Sequence, residues 1–299
     1  MPGITDSLKI ALSGLQLAQN SLATTSNNVA NANTPGYSRK IVEQEARVLD
    51  GRGTGVREVK IARKMDEFLE VQIRQQQAAL GKAETITAYA DDVQGLIFGN
   101  PSDGATGLAT YVDELGTALE GAATKPEDAA QRAAVTWAAE DLFGQLGGAA
   151  ETVQVLRRDA DRRIHGLVAE VNEALGSLHD LNLDLNRSGD NAELLDQRDR
   201  LVRDLSYKLD IKTYTHEDGT LAVFTPDGQP LLEYSPRTIV YTPPSVVERD
   251  APFPAIEVYD HSEIDPATSR PLAGAPGRVL VGAGTRLELT PELKAAGGH

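Results

Sequence analysis

The sequence predicts a mainly α protein. A coiled-coil-type helix opens it, an elongated bundle of long helices follows, and a small β-rich domain, expected to be truncated, ends it. Three observations predict this. Ile4, Leu8, Ala11, Leu15, Ala18, Leu22, Thr25, Val29 and Ala32 recur at steps of 4-3-4-3-4-3-4-3, the spacing of a coiled-coil seam. Residues 127–187 contain no proline and carry an almost continuous apolar stripe. From Ile211 onward, short alternating runs are punctuated by Gly and Pro, the pattern of strands and turns. The expected divisions are 1–36, an assembly helix; 37–64, an extended hairpin or linker; 65–209, a helical domain; and 210–299, the β-rich domain.

The first helix lacks the usual protection of a surface helix. Only Asp6 and Lys9 are charged before Arg39, and the rest of its surface is amide and hydroxyl, such as Gln16, Gln19, Asn20, Thr24 and Asn28. Exposed helices ordinarily carry charge and ion pairs four residues apart. An apolar seam flanked by neutral hydrogen-bonding groups implies cover by a partner helix or by copies of the chain. An amphipathic helix packed on its own domain is the competing reading. Asn31 and Asn33 are poor helix formers, and Thr34-Pro35-Gly36 forces a turn. The helix is therefore expected to end between Asn31 and Asn33, with an extended run from Tyr37.

Residues 37–49 and 56–63 flank Gly51-Arg52-Gly53-Thr54-Gly55 and read as a hairpin with a Gly-rich tip. The tip has no Gly-Lys-Ser/Thr ending and opens no helix, so it is not read as a phosphate cradle. A helix over 65–98, with Leu69, Ile73, Leu80, Ala83, Ala90 and Ile97 as its stripe, is broken by residues 99–104. A second helix follows over about 105–123, and Pro126 suits the first turn of a third. That third helix would run some 60 residues, roughly 90 Å at 1.5 Å per residue. Its stripe is Val153, Leu156, Ile164, Leu167, Val171, Leu175, Leu178, Leu181 and Leu185. Gly144, Gly147 and Gly148 predict a kink or a close helix contact. Over 194–205, Asp196 with Arg200 and Asp199 with Arg203 are expected to pair four residues apart on a solvated face. Beyond Ile211, Glu217-Asp218-Gly219 and Asp227-Gly228 mark turns between strands over 211–215, 220–225 and 231–234. Val279 to Val281 and Arg286 to Leu289 read as two further short strands.

Composition excludes several classes of function. The net charge is −15, yet residues 1–63 hold eight basic against five acidic groups, so residues 64–299 carry −18. An acidic body argues against nucleic acid as a partner, because phosphate must be neutralised by Lys and Arg. There is no Cys, which removes disulfides, thiolate zinc sites and Cys nucleophiles. No run of 18 apolar residues exists, so no helical membrane insertion is expected, and the N-terminus lacks the layout of a general secretory signal. His165 and His179 lie 14 residues, about 21 Å, apart along one helix and cannot share a metal. No nucleophile elbow and no Ca²⁺ loop pattern is found. Neither a catalytic constellation nor a cofactor site is expected. Trp137, in an Ala-rich helix, is expected to be a packing anchor.

Two blocks carry a family resemblance. Ala11-Leu12-Ser13-Gly14-Leu15, Gln19, Leu22, Ser26-Asn27-Asn28, Ala30-Asn31, Asn33-Thr34, Gly36-Tyr37 and Arg39 resemble the N-terminal signature of bacterial flagellar rod, hook and hook-associated proteins. The run from Asn191 to Val202, NAELLDQRDRLV, resembles a block of the hook-associated proteins of the hook–filament junction. It selects that branch over rod and hook proteins. The resemblance implies a structural subunit that is not an enzyme. It would be exported through the flagellar apparatus, aided by an export chaperone, to an extracellular position in the flagellum. Implied partners are copies of itself, the hook protein and the second junction protein. It further implies that Leu8, Leu15, Leu22 and Val29 bury the seam. Asn27, Asn28, Asn31 and Asn33 would reach neighbouring subunits, and Thr34-Pro35-Gly36-Tyr37 would set the exit angle of the chain. Members of the family are longer and finish with a second amphipathic helix that pairs with the first, so the resemblance covers the N-terminal half of the pattern. A second reading makes the chain a secreted binding module that recognises its target through the β-rich region.

Overall fold

A computed structural model describes residues 3–49, 52–99, 106–189, 191–249, 251–266 and 268–281. The long elements are α1 (Ile4–Ala30), β1 (Lys40–Leu49), β2 (Arg52–Arg63), α2 (Glu67–Phe98), α3 (Leu108–Thr124), α4 (Ala129–Ser188) and α5 (Ala192–Lys208). Short strands follow: β3 (Lys212–Thr215), β4 (Leu221–Phe224), β5 (Pro230–Leu232), β6 (Thr238–Tyr241), β7 (Ile256–Tyr259), β8 (Ile264–Asp265), β9 (Arg270–Pro271) and β10 (Arg278–Val281). The expected class, long helices first and small antiparallel sheets last, is what the chain adopts. The expected strand over Arg286 to Leu289 lies outside the described residues, as do Gly51 of the hairpin tip and positions 100–104 of the expected break.

Caps and turns follow local chemistry. Asp66 Oδ1 accepts from the backbone N–H of Phe68 and Leu69 at 3.0 and 3.2 Å, satisfying donors that open α2. Asp128 does the same for α4 through Ala130 N at 2.8 Å. That helix therefore starts at Ala129, three residues after Pro126, because a side-chain cap satisfies the first free N–H groups and proline supplies none. Asn191 caps α5 through Glu193 N and Leu194 N. Gly219 and Gly228 take φ of 83° and 85° in the two turns anticipated for them. β1 and β2 pair further into the Gly-rich segment than expected, with Val48 opposite Gly53 and Leu49 opposite Arg52.

The chain forms two compact units. The first comprises Met1–Ala79 and Val171–Arg237. Its core is the C-terminal stripe of α4 (Val171, Leu175, Leu178, Leu185), Val202 and Leu205 of α5, and Leu221, Ala222, Val223, Leu231 and Leu232 of the antiparallel sheet β3-β4-β5. Buried Asn182 donates to the Leu221 carbonyl at 2.8 Å and accepts from the Leu221 N–H at 3.0 Å, so one side chain satisfies both backbone groups of the residue that opens the central strand β4.

The second unit comprises Leu80–Glu170 and Thr238–His299. The antiparallel sheet β10-β7-β6 buries Ile239, Tyr241, Val258 and Tyr259. Tyr241 donates its hydroxyl to buried Asp161 of α4 at 2.6 Å. Burial and the neighbouring carboxylate raise that phenol well above its ordinary range. Arg157 donates to the Ala251 carbonyl and lies over the Phe253 ring. Two expectations fail here. α4 runs unbroken through Gly144, Gly147 and Gly148, and no neighbour lies within 4 Å of where their Cβ atoms would be, so these glycines serve no close helix contact. Trp137 is 65% exposed; it sits on the uncovered face of α4 and anchors nothing.

Candidate functional site

α1 packs the opposite way from an ordinary amphipathic helix. Its covered positions are Ser13, Leu17, Ser21, Thr24, Asn28 and Asn31, spaced 4-4-3-4-3 and almost all polar or hydroxylated. Against them lies the β1–β2 hairpin. Ser13 Oγ accepts from Val56 N at 3.3 Å, and Asn20 Nδ2 donates to Glu58 Oε2 at 2.7 Å. Gly55 (φ 116°) brings β2 so near that a Cβ there would overlap Ser13 Oγ. The apolar seam points away. Leu8, Leu15, Leu22 and Val29 are 56–72% exposed. Leu12, Ala11, Gly14, Gln19, Ser26, Asn33 and Arg39 are exposed as well.

The end of α1 is tied down by asparagines. Asn28 donates to the Lys40 carbonyl at 2.8 Å, and accepts from Lys40 N and from the Tyr37 hydroxyl, both at 2.9 Å. The side chain that the resemblance assigns to a neighbouring subunit is thus committed within the chain. Asn31 donates to the Asn27 carbonyl at 3.0 Å and accepts from Thr34 Oγ1 at 3.2 Å. Tyr37 N donates to the Thr34 carbonyl at 3.2 Å, and Gly36 has φ 76°. Pro second and a positive-φ Gly third make Thr34-Pro35-Gly36-Tyr37 a type II turn.

This turn brings the two signature blocks together. Asn27, Asn31, Thr34, Gly36 and Tyr37 from the first, with Lys40 just beyond it, line one polar cleft with Glu193, Asp196 and Arg200 from the second. Asp196 is 2% exposed. Its Oδ1 accepts from Ser38 Oγ and from Arg63 Nη1, the latter at 3.1 Å. Lys40 Nζ pairs with Glu193 and lies 3.4 Å from Asp196 Oδ2. Arg63 Nη1 also reaches Asp199 Oδ2 at 2.6 Å, and Arg203 Nε reaches Glu70 Oε2 at 3.1 Å. Burial alone would lower the Lys40 ammonium. The hydrogen bond to Glu193 and the negative charges of Asp196 and Glu193 outweigh it and hold the group above its ordinary value of 10.5. Burial pushes the Arg74 guanidinium below its usual range.

The expected pairs Asp196–Arg200 and Asp199–Arg203 do not form, because both carboxylates go to the hairpin and Arg203 goes to Glu70. Magnitude decides the competition. An exposed pair four residues apart contributes about 0.2–0.5 kcal/mol, whereas a hydrogen bond to a charged group in a partly buried setting contributes about 1.5–3 kcal/mol. Ser38, Lys40 and Arg63 were not legible as site residues. One signal was present: Glu193, Asp196 and Asp199 recur every three residues on one helix face, and Lys40 and Arg63 stand opposite each other at the open end of the hairpin.

Gly36 is the tightest point. A Cβ there would overlap Cγ of Arg200, at a φ that other residues adopt with strain. Gly36→Ala is expected to cost about 1–3 kcal/mol locally. Tryptic cleavage after Arg39 should become about tenfold faster; an unchanged rate would show that the turn tolerates a side chain.

Among the described residues no group of three His, Asp or Glu side chains could hold a metal ion, and no helix is long and apolar enough to cross a membrane.

Comparison with known proteins agrees with this geometry. A family model of the flagellar hook-associated protein FlgK helical domain matches residues 100–249, and one of the flagella basal body rod protein matches residues 8–37. The chain is 27% identical over 246 residues to flagellar hook-associated protein 1 of Bacillus subtilis, covering 76% of this chain and 47% of that one. It is 29% identical over 240 residues to the Escherichia coli protein of the same name, covering 75% and 42%. It therefore spans less than half the length of these relatives. In fold it is similar to the flagellar hook junction protein FlgK from Burkholderia pseudomallei, with a TM-score of 0.50 and 22% identity over 69% of this chain and 36% of that one. With half of its length matched by the helical-domain model, and with its two signature blocks meeting in one cleft, the chain belongs to the flagellar hook-associated FlgK family.

Proposed function

We propose that the chain is a structural subunit of the bacterial flagellum that joins hook to filament and assembles through α1. The family supports the role, and one observation carries the mechanism: the apolar seam of α1 is bare while its polar face is the one packed. Apolar surface exposed along a helix at coiled-coil spacing is stabilised only when another helix covers it. Covering helices would come from further copies or from neighbouring axial proteins such as the hook protein and the second junction protein. Export through the flagellar apparatus, with a chaperone shielding the seam, places the subunit outside the cell. Nothing favours the β-rich region as a recognition surface instead.

Leu15→Asp or Leu22→Asp, introduced into the protein of a flagellated cell, is expected to abolish incorporation at the junction. The helical circular dichroism of the purified chain should be unchanged, since neither side chain is part of its core. Normal junctions built from either variant would remove the role assigned to the seam.

A further inference from the structure

Among the described residues 3–63, Thr24 alone is buried. The apolar core of this unit is supplied by α4, α5 and the β3–β5 sheet. The arm formed by α1 and the β1–β2 hairpin therefore adds no buried apolar side chain to it. What fastens the arm to α5 is chiefly polar: Ser38 and Arg63 on Asp196, Arg63 on Asp199 and Lys40 on Glu193, with the aliphatic stem of Arg200 against Gly36 beside them.

We propose that this ion cluster is a releasable latch, through which the arm docks on and leaves α5 as a unit while the core stays folded. Hydrophobic burial normally couples a segment to the cooperative unfolding of its domain; a segment without it opens at its own, lower free energy. The charged groups that meet at the latch are Lys40 and Arg63 from the arm and Glu193, Asp196, Asp199 and Arg200 from α5. Glu70 and Arg74 of α2 with Arg203 of α5 lie beside them. Buried Asp196 Oδ2 meets only the Lys40 ammonium, at 3.4 Å and without a well-formed hydrogen bond, so this carboxylate oxygen is held loosely in the docked state and release returns it to water. α2 remains anchored by Glu70–Arg203 at 3.1 Å, which confines the swivel to the short connection at Lys64 to Asp66. An arm held this way can turn toward a neighbouring molecule without loosening the core.

The chain has no cysteine, so paired spin labels can be placed at will. With Val48→Cys on the arm and Gln197→Cys on α5, both exposed, the otherwise unaltered chain should give one narrow distance distribution. Adding Asp196→Asn, or separately Arg63→Met, should introduce a longer, broader population. The docked-to-undocked ratio should fall about tenfold or more, with the unfolding midpoint by circular dichroism unmoved. Arg63→Met keeps the aliphatic stem and removes the charge, so both variants must agree. A single narrow distribution in both variants, or loss of helical signal along with docking, would overturn the latch.

Discussion

Asn182→Leu is expected to destabilise the unit built on α4, α5 and β3–β5 by about 2–5 kcal/mol. The size of the side chain hardly changes; its hydrogen bonding does. Asn182 holds both the N–H and the carbonyl of Leu221, at 3.0 and 2.8 Å, inside the core. Leucine leaves two buried backbone groups without partners, each costing about 1–3 kcal/mol. Guanidinium unfolding followed by circular dichroism should show the midpoint shifted down with little change of slope. A midpoint within error of the parent would mean that water reaches β4 and that the pairing is dispensable. Asn28 does the same for both backbone groups of Lys40, at 2.8 and 2.9 Å, in a half-exposed setting. Asn28→Leu should therefore have the smaller effect.

Leu205→Ala is expected to cost about 2–5 kcal/mol, the range for emptying a fully packed leucine site. Leu205, on α5, is wholly buried. The informative comparison is Leu22→Ala on the bare seam. In the isolated chain it removes the same atoms from a side chain that is already in water, and should change stability by less than about 0.5 kcal/mol. Equal losses for the two substitutions would mean that the chain covers its own seam in solution, and the assembly role would go with it.

Much of this molecule was legible in order of sequence. The 4-3 steps from Ile4 to Ala32, the stop at Asn31, the Thr-Pro-Gly-Tyr turn and the Asp-Gly turns at 218–219 and 227–228 each depend on residues within a few positions of one another. Backbone sterics and side-chain capping act at that range, so local reading suffices. Reading by local range also explains the errors. Asp196 and Asp199 have arginines four residues on, yet their partners are 133 to 158 residues away. Trp137 was expected to be covered because large aromatics usually are, but cover depends on which helices lie alongside, which no spacing along one helix specifies.

By itself the sequence determined the type and order of the elements, the family, and the presence of an uncharged apolar seam on the first helix, because periodicity and turn chemistry are properties of neighbours along the chain. Only the tertiary structure decided which face of that helix is used up within the chain. The hairpin offers hydrogen-bonding groups to the Ser13–Asn28 side, and polar groups must find such partners whereas leucines need only exclude water. The seam is consequently the side left outward, available to whatever helix covers it.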